Sequence, residues 1–118
     1  MNIELVIDGK KLRGTLDETA AGRDFASLLP LTITVTDFHT TEKISDLPRR
    51  LSTAGAPDGT AAAAGDITYY APWGNLALFY RDFAHSDGLV RLGSLGPEAA
   101  DVLADLDDGT TITIDAAS

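Results

Sequence analysis

Ile3, Leu5 and Ile7 alternate with Asn2, Glu4 and Val6 at the start of the chain, the period-two pattern of a strand with one covered face. Asp8-Gly9 follows and supplies the two positive-φ positions of a type I′ turn, so the pattern predicts a hairpin. With Ile7 opposite Lys10, Leu5 meets Leu12 on one face and Glu4 meets Arg13 on the other, an apolar pair and an opposite-charge pair. The period then changes. Asp17 or Thr19 can accept the free amide hydrogens of a helix on which Ala21, Phe25, Leu28 and Leu29 recur at i, i+4, i+7 and i+8, and Pro30 ends it. Leu31, Ile33 and Val35 next alternate with Thr32, Thr34 and Thr36, a β-branched strand whose threonine face is expected to look outward or toward a cover.

From residue 40 to 51 the alternation breaks, which predicts a short turn-rich segment anchored by Ile44 and Leu47. Residues 52–65 read as a loop, because Gly, Pro and the alanines at 61–64 offer little to pack. Ile67, Tyr69 and Ala71 alternate with Thr68 and Tyr70, turn at Pro72-Trp73-Gly74-Asn75, and return through the apolar run 76–80, both of whose faces are expected to be covered. A polar connection at 81–88 leads to a strand at 89–95, in which Gly93 marks a bulge or a close backbone approach. Gly96-Pro97 opens a second helix with Val102, Leu103 and Leu106 on its apolar side, Asp108-Gly109 stops it, and 110–114 form the last strand. Two short helices and at least six strands joined largely by hairpins predict a mainly β fold: an antiparallel barrel, closed or nearly closed, with the helices covering its ends.

Composition narrows the picture. At 118 residues, 44% hydrophobic and 23% charged, residues 1–118 are expected to form one folded domain. The formal net charge of -9 repels a phosphate backbone, and the one dense basic pair, Arg49-Arg50, is too small to offset it, so nucleic acid is not an expected partner. With no cysteine there are no disulfides and no thiolate sites. Neither a leader pattern nor an apolar stretch of bilayer length is found, so no membrane partner is expected and a cytoplasmic location is the default expectation.

Three stretches, TEKISDLPRRL at 41–51, GDITYYAPWGNLALFY at 65–80 and GLVRLGSL at 88–95, resemble the bacterial cyclophilin-like fold family, small domains of mostly unassigned function. The resemblance extends over almost the whole chain and implies a barrel of about eight strands. TAAGRDFASLL at 19–29 is more distantly similar to a helix of the true cyclophilins. Prolyl isomerisation faces a barrier of about 18–20 kcal/mol set by amide resonance, and in the cyclophilins an arginine serves the proline nitrogen. Phe38-His39 resembles the Phe-His that precedes that arginine, but Thr40 follows here, and the chain holds no glutamine for the cyclophilin Gln-Gly-Gly-Asp-Phe motif. The resemblance therefore implies the shape without that chemistry.

The candidate ligand-binding residues are Arg49, Tyr70, Trp73, Asn75 and Tyr80. The rings would wall an apolar pocket, the amide and hydroxyls would orient a ligand, and the guanidinium fork would hold a carboxylate or phosphate. Packing and good turn chemistry account for the same aromatic cluster, and ion pairing for Arg49 and its neighbour Arg50. His39 beside Asp37 and Glu42, and His85 between Asp82 and Asp87, lack the paired-histidine spacing of a zinc site, so neither a metal nor another cofactor is expected. Ser94 lacks the glycine two residues before it that a nucleophile elbow requires, and no catalytic residue is assigned. The expected function is thus non-enzymatic binding of a small ligand or peptide. The alternatives are a prolyl isomerase with a non-standard active site and a protein-interaction scaffold; oligomeric state stays open.

Overall fold

The computed structural model describes residues 1–117. Strands β1 (Asn2–Ile7) and β2 (Lys10–Leu16) pair through Asp8 at φ 50° and Gly9 at φ 80°, with Ile7 opposite Lys10, Leu5 opposite Leu12 and Glu4 opposite Arg13, the register expected. Thr19, not Asp17, caps helix α1 (Ala20–Ala26): its hydroxyl oxygen accepts the Gly22 N–H at 3.0 Å. Strand β3 (Leu31–Phe38) buries Ile33 and Val35 and exposes Thr32, Thr34 and Thr36.

Three segments depart from the sequence pattern. The break expected from residue 40 instead holds strand β4 (Glu42–Asp46), joined to β3 by a tight turn in which His39 and Thr40 both take φ 54°. Asp37 stabilises this turn by accepting the Thr40 N–H on its carboxylate at 2.9 Å. The loop expected at 52–65 contains β5 (Gly59–Ala62), and the polar connection expected at 81–88 contains β8 (Phe83–Asp87). These two pair with each other as a separate antiparallel ribbon. Between them run β6 (Asp66–Tyr70) and β7 (Asn75–Phe79), every residue of β7 being buried. Strand β9 (Leu89–Ser94), a 3-10 turn (Pro97–Ala99), helix α2 (Ala100–Ala104) and β10 (Thr110–Ala116) complete the described residues.

Eight of the strands close into an antiparallel barrel in the order β1-β10-β3-β4-β7-β6-β9-β2, with β2 returning to β1. The closing β2–β9 seam is short, pairing Thr15 with Ser94 and Leu16 with Gly93. Gly93 is both things its position in the strand predicts. The β6–β9 register slips beside it, from Ile67 opposite Gly93 to Thr68 opposite Arg91, and a side-chain carbon on Gly93 would strike the Thr15 carbonyl oxygen. Ile3, Leu5, Phe25, Leu76, Leu78, Leu92, Leu103 and Ile112 fill the interior, with α1 packed on β9 and β2, and α2 on β4 and β7. A smaller cluster of Ala62, Ala77, Phe79 and Leu89 lies outside the barrel wall, where the β5–β8 ribbon covers it. Among the described residues, no helix is long and apolar enough to cross a membrane.

Candidate functional site

Side chains alternate across a strand, so β7 sends Leu76, Leu78 and the following Tyr80 inward and leaves Asn75, Ala77 and Phe79 on the outer face of the barrel. Register carries the same face to the neighbouring strands. Glu42 pairs with Phe79 and Ile44 with Ala77 on one side, Tyr70 pairs with Asn75 on the other, and Phe38 stands opposite Glu42. Leu89 extends the floor from β9, and Phe83 and Ser86 of the ribbon roof it, the Phe83 ring 5.6 Å from that of Phe79. Floor and roof bound a partly open cavity of about 210 Å³.

Trp73 stands at its mouth, 57% exposed. The β6–β7 turn holds it there: Gly74, at φ 69°, donates its N–H to the Tyr70 carbonyl at 2.8 Å, and Arg50 donates to the Ala71 carbonyl at 2.8 Å and lies over Gly74. The indole meets Phe38 and Tyr70 edge to face, each at 5.4 Å between centroids, an arrangement favoured by the ring quadrupoles.

Two polar groups stand out in this apolar lining. Burial pushes the Glu42 carboxyl up to about 7, and the nearby Asp37 charge adds to the effect. Asn75 is buried, and among the described residues its Oδ1 has no hydrogen-bond partner, an uncommon condition for a buried amide oxygen. Asp37 itself is held below the usual carboxylate range, chiefly by the Tyr80 hydroxyl, then by the Thr40 N–H and Lys43.

Of the residues singled out in the sequence, Tyr70, Trp73 and Asn75 come together around this cavity. Tyr80 turns the other way: it packs inside the barrel and donates its hydroxyl to Asp37 at 2.5 Å, and burial first, then that carboxylate, pushes its own pKa up to about 12. Arg49 also lies elsewhere. Its guanidinium grips Asp24 with two 2.9 Å hydrogen bonds and Ser27 with a third at 2.8 Å, and the pairing lowers Asp24 to about 2. His85 sits 3.1 Å from Asp87, and Ser94 accepts the Gly96 N–H at 3.0 Å.

Among the lining residues the sequence did not nominate are Phe38, Glu42 and the ribbon's Phe83. Glu42 drew notice only as a neighbour of His39. A β4 strand in register with β7 would have placed it on the aromatic face, but no turn signal announced that strand.

Comparison with the curated proteins finds no match. Among solved structures, the solution structure of the hypothetical protein AF2241 from Archaeoglobus fulgidus superposes with a TM-score of 0.71 at 17% sequence identity, covering 99% of this chain and 95% of that chain. At that identity the likeness is one of fold. The family resemblance carried by the turn-and-strand stretches above rests on firmer ground, since the model of the cyclophilin-like family matches residues 5–115 and the chain belongs to that family.

Proposed function

We propose that this cyclophilin-like domain binds a small ligand without transforming it, in the cavity between the barrel wall and the β5–β8 ribbon. The observation that carries the reading is a roofed aromatic cavity of about 210 Å³ with a half-exposed tryptophan at its mouth and the side-chain amide of Asn75 in its wall. Small-molecule sites are composed this way, apolar and ring-lined with a few convergent polar groups. The size favours a compact molecule over a peptide, since a cavity of roughly 150 Å³ already accommodates benzene.

The isomerase alternative needs a cationic donor beside the bound amide. None of the residues lining the cavity is cationic, Arg49 is committed to Asp24, and Arg50 is committed to the Ala71 carbonyl.

Thermal denaturation with a panel of metabolites and short peptides tests the proposal. A ligand at a hundredfold excess over its Kd stabilises the native state by about 2.7 kcal/mol, a shift of several degrees in Tm. At least one compound is expected to raise Tm in the wild type and to lose that effect in Trp73→Ala. A flat panel overturns the binding reading, and acceleration of Xaa-Pro isomerisation in a protease-coupled assay overturns its non-enzymatic half.

A further inference from the structure

Glu42 and Asn75, two of the polar groups in the lining, sit far apart. Glu42 shares a register row with Phe38 and Phe79, whereas Asn75 shares one with Asp46 and Tyr70. Those rows are four residues apart along the strands, roughly 13 Å at the usual rise. One end of the cavity therefore presents a carboxyl among the rings of Phe38 and Phe79, and the other is walled by the side-chain amide of Asn75. Trp73 bridges the two rows, its indole edge to face with Phe38 of one and Tyr70 of the other.

Resting on the binding reading above, we propose that the cavity takes an arylalkyl ammonium with a hydroxyl at its far end, the ammonium against Glu42 and the hydroxyl toward the Asn75 amide. Three features specify this class. A cation neutralises a carboxylate that is otherwise held among apolar neighbours, and the pairing becomes a charge-assisted hydrogen bond. Aromatic walls attract a cation through their ring quadrupoles and stack an aryl group. A formal net charge of -9 draws cations toward the protein and repels carboxylate analogues. The hydroxyl at the far end meets the Asn75 side-chain amide, and omitting it forgoes that hydrogen bond, which is how a polar group in a pocket wall discriminates between ligands.

Titration calorimetry with four probes of nearly one shape tests the assignment: tyramine, phenethylamine without the phenol, 4-ethylphenol without the amine, and 3-(4-hydroxyphenyl)propionate with the opposite charge. At about pH 8 the ammonium is still protonated and Glu42, with its pKa raised to about 7, is largely ionised. Tyramine is expected to bind roughly ten- to a hundredfold more tightly than 4-ethylphenol and several-fold more tightly than phenethylamine, with the propionate weakest. Glu42→Gln should erase the preference for tyramine over 4-ethylphenol, and Asn75→Leu its preference over phenethylamine, with circular dichroism verifying that each variant is folded.

The wild-type ranking stands without either variant. If 4-ethylphenol or the propionate binds as tightly as tyramine, the ammonium assignment fails while the ligand-binding reading survives. If none of the four binds but the broader panel yields a ligand, the assignment again fails alone; silence in both overturns the two together.

Discussion

Glu42 and Asp24 lie at opposite ends of the carboxylate scale, and stability should record both. The native Glu42 holds its proton until about pH 7, while an unfolded glutamate releases it near the ordinary value of 4.5. Between those limits the native state binds more protons, so this group's contribution falls as pH rises through the window and is level above it. Asp37 and Tyr80 are the ionisable groups coupled to it, and Phe38 and Phe79 flank it in register. Glu42→Gln is therefore expected to raise Tm relative to the wild type above pH 7, with the gap closing toward pH 4.5. A gap that ignores pH would mean the carboxyl is well solvated. Asp24 has the opposite sign. Held near 2 by Arg49, it contributes stability that is complete above its ordinary 3.8 and lost as pH falls toward 2, so Arg49→Ala should flatten that acid limb of a Tm scan. The sequence offers ion pairing for Arg49 but not its partner, and Glu42 only as an acidic neighbour of a histidine. Asp24 and Arg49 are 25 positions apart, and only the fold brings them together.

At the scale of elements, legibility followed turn chemistry. The Asp8-Gly9 hairpin was readable to its register because a glycine at positive φ is a strong local signal. The β3–β4 hairpin bends at His39 and Thr40, residues that carry no such signal, and relies on the Asp37 carboxylate to hold the Thr40 N–H. The β5–β8 ribbon was invisible for another reason. Its strands are glycine, threonine and alanine on one side and largely exposed polar residues on the other, with a register shift between Thr60 and Ala62, so no alternation survives. A two-stranded ribbon is marginal by itself, and this one is anchored through Ala62 and Phe83 on the outer cluster. Its amides are accordingly expected to exchange with solvent well before those of β6 and β7 in a native-state hydrogen-exchange experiment. Equal protection would make the roof of the cavity part of the cooperative barrel unit.

For the whole molecule, the alternating apolar positions were sufficient to give an antiparallel barrel with two covering helices, because each inward row had to find another. Which strands close it was not readable, since pairing between distant segments leaves no local mark. Gly93 is the exception, flagged by its place inside a strand and found where β9 crosses β2. Gly93→Ala should cost about 1–3 kcal/mol in chemical denaturation, the usual penalty for a methyl forced into backbone that has little room to yield. A neutral result would mean the seam separates without loss. One last consequence follows from the position of the chain's single tryptophan, which lies outside both apolar clusters. Its indole already sees water in the native protein, so its emission colour should change little when the barrel melts and shift to the blue when a guest settles against it. The fluorophore is thereby a gauge of occupancy that is nearly blind to folding.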